Sequence, residues 1–207
     1  MCKNPLLTKR FLKNLSGKLE ALQVKFEVSG CSSINLYFQD ESRFGLLTVL
    51  RRMITAKGVK PVAPFLHRFD NLYLFGAFSP ITGESCLLEL PHCNSATFQV
   101  FINELSKKNP TEFKVVVLDN GAFHHAGSLV IPDNVAFIFL PPYSPELNPA
   151  EKMWRYCKDR VSMIAYQSLD MLQQQLSDIT KQITSDLVKS ICGNKFYKQT
   201  FGDAFNV

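Results

Sequence analysis

The stretch KVVVLDN, residues 114–120, decides how the rest of the chain is read. Three valines and a leucine run together without alternation, and Asn120-Gly121 follows as a turn signal. A strand apolar on both faces has to be covered on both faces, as in a parallel sheet with helices above and below. Downstream the theme repeats. AFHHAGSL (122–129) reads as a short helix or loop, and VAFIFL (135–140) as the next strand. Upstream, Phe98, Phe101, Ile102 and Leu105 stand at i, i+3, i+4 and i+7, marking a helix that Asn94 or Ser95 can cap.

Farther upstream, INLYFQD (34–40), FGLLTVLR (44–51) and NLYLFGAFSP (71–80) read as three strands of an antiparallel meander, with ITGE as the closing turn. Toward the C-terminus a helix is expected from 149 to about 161. A second is expected over 168–191, with Leu169, Leu172, Leu176, Ile179, Ile183 and Leu187 on one face. The order β-β-β-α-β-α-β-α is that of the ribonuclease H-like α/β fold, a five-stranded mixed sheet flanked by helices. Residues 34–192 are assigned to that domain. Residues 1–33 form a basic N-terminal segment or linker remnant, with Phe11, Leu15, Leu19 and Leu22 at roughly helical spacing, and 193–207 a C-terminal tail.

At 207 residues, 46% hydrophobic and 20% charged, the chain suits one folded domain rather than a disordered one. Its net charge of +5 is uneven: residues 1–60 hold 11 Lys and Arg against 4 Asp and Glu, and the remainder 12 against 14. A basic front on a near-neutral body points to a polyanion, nucleic acid before membrane, with Arg51, Arg52, Lys57 and Lys60 as candidate DNA contacts. The bland alternative is a solvated basic surface. The six cysteines are scattered without a CxxC pair, as expected of reduced thiols in the cytoplasm. Cys86, His92 and Cys93 lack the second ligand pair of a zinc finger. The N-terminus has no apolar signal core, and VAFIFL is far too short to span a bilayer.

The chemistry lies where carboxylates meet this layout. Asp40 is expected at the end of the first strand and Asp119 at the end of the buried one. Glu151 follows a proline-rich loop, FLPPYSPELNPAEKMW (139–154). Ligands of open α/β sheets sit at the carboxyl ends of the strands, so the three can converge there. Three carboxylates without cations repel one another, and hard oxygen ligands of this kind suit Mg2+ or Mn2+. Two such ions per active site would activate an attacking oxygen and stabilise a leaving one at a phosphodiester.

Structural readings stand beside these. Asn148-Pro149-Ala150-Glu151 has the layout of a capping box, so Glu151 could serve as a helix cap. The two aspartates could be strand-end turn formers. Glu41 and Glu146 are set aside as neighbours of better-placed residues. His124 and His125 follow Asp119 closely, and Trp154 reads as a core anchor of its helix.

YFQDES, LDNGAFH and LPPYSPELNPAEKMW resemble the three catalytic blocks of DDE transposases of the mariner superfamily, in its bacterial insertion-sequence branch. The resemblance covers about residues 34–190, and GAFSPITGE resembles the family's third strand and turn. It implies that Asp40, Asp119 and Glu151 are the metal-binding triad, with Asn120, His124 and Asn148 around them. It further implies metal-dependent strand cleavage at the terminal inverted repeats of an element, transfer of the 3′ end into target DNA, and a homodimer.

Two departures stand out. The 31 residues between Asp119 and Glu151 are slightly fewer than the family's usual gap. Only 39 residues precede Asp40, too few for the family's helix-turn-helix modules, so a catalytic part served by a separate helix-turn-helix polypeptide is expected. The alternatives are a non-cutting fragment that binds DNA or inhibits a full-length transposase, and a ribonuclease H-like nuclease acting on hybrids or junctions.

Overall fold

The computed structural model describes residues 5–50, 54–60 and 62–205, with side chains from Arg10 onward. Strand β4 (Glu112–Leu118) is buried at every position and lies inside the sheet, as its unbroken apolar run requires. It pairs in parallel with β1 (Ser33–Gly45) on one side and β5 (Val135–Phe139) on the other. Strand β2 (Asn71–Phe78) runs antiparallel to β1, and β3 (Ser85–Leu90) antiparallel to β2, giving the order β3-β2-β1-β4-β5.

Five strands form, but not the five expected. Among the described residues no separate strand runs from 44 to 50. Instead β1 continues through Glu41, Ser42 and Arg43 to Gly45, and Asp40 lies within it rather than at its end. The ladder closes with Leu46 N–H on Asp70 O, and Leu46 then turns into the core. The fifth strand is β3, SCLLEL, at the sheet edge, where all six residues are half-buried and no alternation signals a strand.

Helices cover both faces. Phe38 of β1 and Phe78 of β2 are register partners and share a face. On that face α1 (Pro5–Ser29) and α6 (Lys195–Phe205) pack Phe11, Leu15, Leu19, Tyr197 and Phe201 onto Leu36, Phe38, Val115, Val117 and Ile138. Beside them, α3 (Ala150–Val161), α4 (Leu169–Lys181) and α5 (Ser185–Cys192) pack Met153, Trp154, Cys157, Leu172, Leu176, Ile179 and Val188 onto Phe44, Leu72, Leu74 and Phe78. The opposite face carries α2 (Ser95–Lys107), whose Phe98, Phe101, Ile102 and Leu105 meet Tyr37, Phe75, Ala77, Val116 and Leu118. Each buried side chain of this size contributes about 1.5–3 kcal/mol.

Asn94 caps α2 in a full capping box with Thr97. The helix expected over 168–191 is two. Ser168 caps α4 by accepting from Met171 N–H, and Thr184 caps α5 by accepting from Leu187 N–H. Helix α1 ends at Gly30, whose φ of 70° is the left-handed terminator glycine supplies. The expected C-terminal tail is largely α6, docked against α1. Among the described residues no helix is long and apolar enough to cross a membrane.

Candidate active site

The last parallel pair of β1 and β4 is Phe38 with Val117. Two residues farther along each chain, on the same side, come Asp40 and Asp119. β4 has ended by then, while β1 runs on along β2, so the sheet steps down between them. Asp40 has Gly76 as its partner on β2. A Cβ on Gly76 would lie 2.6 Å from the Trp154 ring, so only glycine admits the indole there. Trp154, buried on α3, donates from Nε1 to Asp40 Oδ2 at 2.9 Å. It is a core anchor, as expected, and also a donor to the site. Burial, and then the charges of Glu151, Glu41 and Asp119, hold the Asp40 carboxyl well above the usual carboxylate range.

Asp119 has the opposite environment. Its Oδ1 accepts from Gly121 N–H at 2.8 Å and faces His124 Nδ1 at 3.1 Å. The His124 hydrogen bond, against burial, holds its carboxyl below the usual range. His124 is buried, with its ring 4.4 Å from that of Phe98 and its Nε2 3.2 Å from Glu41 Oε1. Burial alone would discharge this imidazole. Hydrogen bonds to Asp119 and Glu41 outweigh it and lift the pKa to about 9, so the ring stays doubly protonated and bridges the two carboxylates. Glu41 therefore belongs to the site's surroundings. It was passed over because the sequence places it beside Asp40, while the strand places it on the other face with His124.

Glu151 is delivered by the loop 140–149. Asn148 donates from Nδ2 to Gln39 O at 2.9 Å and accepts from Ala150 N–H at 3.1 Å, which pins the start of α3 to β1 beside Asp40. From below, Tyr197 donates its hydroxyl to Leu147 O at 2.8 Å. The capping box does not form. Pro149 takes the cap position, and the Asn148 N–H that a capping glutamate would accept is already bonded to Pro145 O. The Glu151 carboxylate makes no hydrogen bond among the described residues, and it is exposed.

Asp40, Asp119 and Glu151 thus line one cleft of about 530 Å³, together with Asn120, Asn148 and the proline loop. Asn120 donates to Leu140 O and faces His125 Nε2 at 3.3 Å, tying the turn after β4 to the end of β5. No lysine or arginine among the described residues lines the cleft. Nor do three His, Cys, Asp or Glu side chains among them close to ligating distance of one point. The donor set is three hard carboxylates facing one cleft, with only the Asp119 charge met by a cationic neighbour, His124, and this chemistry fits a hard divalent cation.

Lys57 and Lys60 are exposed in the β1–β2 connection and do not line this cleft. Arg51 and Arg52 lie outside the described residues. A basic group the sequence reading missed stands closer: Lys152, Arg155 and Lys158 line a groove that shares Pro145, Asn148 and Glu151 with the cleft. Their i, i+3, i+6 spacing on α3 was the available signal.

Residues 35–173 match the family model described as DDE superfamily endonuclease. A curated relative, uncharacterized protein y4pE/y4sA of Sinorhizobium fredii (strain NBRC 101917 / NGR234), is 38% identical over 88 residues, covering 42% of this chain and 65% of its own length. Among solved structures, a pre-cleavage Mos1 transpososome matches with a TM-score of 0.66 at 13% identity, covering 99% of this chain and 64% of the Mos1 chain. The Mos1 mariner paired end complex with Mn matches with a TM-score of 0.62 at 14% identity, covering 100% and 62%. The Mos1 strand transfer complex gives 0.61 at 14%, covering 99% and 63%. This likeness shows a shared fold, and the chain spans less than two thirds of the length of each of these relatives.

Proposed function

The chain belongs to the DDE superfamily endonuclease family, and from that premise we propose that it is the catalytic part of a transposase that cuts DNA strands and joins the cut ends to a target. One observation carries the reading: Asp40, Asp119 and Glu151, from three separate parts of the chain, meet in a cleft that no described lysine or arginine lines. In this reading the three carboxylates hold Mg2+ or Mn2+, two ions per site. Held by Asp40, Asp119 and Glu151, such ions would supply activation of an attacking oxygen and stabilisation of a leaving one at a phosphodiester.

The chain's own residues prepare the donors. Trp154 holds one oxygen of Asp40. His124 keeps Asp119 ionised and ties it to the α2 face through Glu41. Asn148 sets the start of α3, so that Glu151 projects from a fixed place. Asn120, His124 and Asn148 act through the carboxylates rather than on the phosphate. The partners in this proposal are element ends, target DNA and a second copy of the chain, with a separate helix-turn-helix polypeptide supplying end recognition. A dimer is supported by the exposed Val49, Leu50, Val59, Phe65 and Phe69 in the connection between β1 and β2. A cytoplasmic setting is supported by free Cys31, Cys86, Cys93, Cys157 and Cys192.

Nicking of supercoiled plasmid in manganese by the purified chain, beside Asp119→Asn, tests the proposal. Nicking by the parent alone is expected. Equal nicking by both would overturn the triad. No nicking and no manganese binding by the parent would favour the fragment that binds DNA without cutting it.

A further inference from the structure

Gln39 is tied to the site twice, once through its main chain and once through its side chain. The last parallel pair of β1 and β4 is Phe38 with Val117, so the Gln39 carbonyl lies just beyond that ladder. There it accepts from Asn148 Nδ2 at 2.9 Å, the bond that sets the start of α3 and with it Glu151. By strand alternation the Gln39 side chain shares a face with Glu41, two residues on. Its Nε2 donates to Glu41 Oε1 at 2.6 Å. His124 Nε2 meets the same oxygen at 3.2 Å, and His124 Nδ1 lies 3.1 Å from Asp119 Oδ1. A continuous row of polar contacts therefore runs from Gln39 through Glu41 and His124 to Asp119, out of the sheet interior and into the cleft.

Packing alone does not select this arrangement. Gln39 has no exposed surface, and its partner on β2 is Ala77. Its Oε1 is buried and has no hydrogen-bond partner among the described residues. A buried acceptor without a donor costs stability, and an apolar side chain of the same size would avoid that cost. The amide cannot turn over to relieve it, because its oxygen would then face a carboxylate oxygen, which only accepts. What the glutamine supplies is its N–H. Together with His124 it places two donors on one oxygen of Glu41, and so fixes the rotation of that carboxylate.

We propose that Gln39 is a positioning residue of the cleft: by orienting Glu41 it holds the His124 ring, and the ring holds Asp119 toward the metal. This rests on the metal-dependent cutting reading and deepens it, since it names the residue from which the Asp119 side of the site is set. Groups that orient a metal ligand from behind change metal affinity when they are removed, without touching the ion.

The test compares the full chain with Gln39→Met, which conserves volume and removes both the donor and the orphaned acceptor. These two losses oppose one another in stability, so the variant should melt within a few degrees of the parent. Manganese binding, followed by the electron paramagnetic resonance of the free ion, should weaken by about 10-fold. In chain carrying isotopically labelled histidine, the His124 Nε2–H signal should shift. Glu41→Gln should weaken manganese binding too, and Gln39→Met placed on top of it should add little, because the path is already cut. Gln39→Leu should repeat the Gln39→Met result, so that a folding defect in one variant does not decide the matter. If these variants leave manganese binding or the His124 signal unchanged, the inference is wrong and the metal reading stands. If the effects of Gln39→Met and Glu41→Gln simply add, Gln39 does not act through Glu41 and the inference falls. If the parent binds no manganese, the metal reading falls and takes the inference with it.

Discussion

Glu112 and Asp40 lie at opposite ends of the same pair of strands. Both are crowded by other carboxylates, and the fold treats them differently. Glu112, almost fully buried at the start of β4, accepts from Tyr37 OH at 2.9 Å and Asn35 Nδ2 at 3.1 Å, and has Lys114 Nζ at 3.8 Å. Nearby Glu84 shares the single Tyr37 hydroxyl proton with Glu112, at 2.8 Å, and accepts from Asn109 Nδ2 at 2.8 Å. Lys114, with no exposed surface, also donates to the carbonyls of Asn109 and Glu112. Burial lowers its pKa, and Glu112 opposes that shift. Every charge there has a partner from the chain. At the other end, Asp40 has one side-chain donor, Glu151 has none among the described residues, and no lysine or arginine among them lines the cleft. A buried carboxylate that the protein neutralises is architecture. One that it leaves unbalanced is a demand for something from outside.

If that contrast is right, substitutions at the two ends should have opposite effects. Asp40→Asn should abolish nicking and raise stability at neutral pH by about 1 kcal/mol or more. The sign follows from the raised pKa. The stability tied to the protonated Asp40 is complete below the ordinary carboxylate range and is lost as pH climbs through the folded value, whereas asparagine keeps it throughout. A lower melting temperature for Asp40→Asn would break the comparison. Glu112→Ala should instead lose about 3–5 kcal/mol in urea unfolding, because the buried Lys114 keeps its carbonyl acceptors but loses its nearest carboxylate. Pairing Glu112→Leu with Lys114→Met should recover most of that loss.

His124 lies between these extremes. Its contribution should be complete below pH 6.5 and should fade as pH rises through about 9. His124→Gln should flatten the stability profile across that window, and an unchanged profile would mean the bridge between Asp119 and Glu41 is idle. Trp154→Phe keeps most of the packing and removes one donor. It should cost about 1.5–3 kcal/mol at most and raise the manganese concentration needed for half-maximal nicking. The smallest effects belong to α3: each of Lys152→Gln, Arg155→Gln and Lys158→Gln should reduce the salt slope of DNA binding by about one. Slopes that do not move would place the backbone elsewhere.

Much of this was legible in the sequence because the central strands and α2 are buried on a regular period. The run VVVL admits one reading, and so does the Phe98–Leu105 stripe. Asp119 and Glu151 stand where a strand meets a turn and a loop meets a helix, positions the sequence marks, whereas Asp40 was read as a strand end and lies inside β1. What failed depended on neighbours distant in the chain. Strand β3 is half-buried throughout and carries no alternation. The polar run Glu41-Ser42-Arg43 looks like a break, yet β2 pairs with it along its whole length. Glu41 gains its role from His124, 83 residues away, and Asp40 gains its donor from Trp154, 114 residues away. Periodicity carries no trace of such pairs.

Trp154 is the only tryptophan in the chain, so all of its indole emission comes from one ring bonded to one carboxylate of the cleft. The protein therefore carries its own optical gauge at the site. An ion drawing on Asp40 must alter the hydrogen bond to that ring, and a paramagnetic ion beside it should dim the emission outright. Site occupancy can then be followed in the unlabelled chain before any DNA is added.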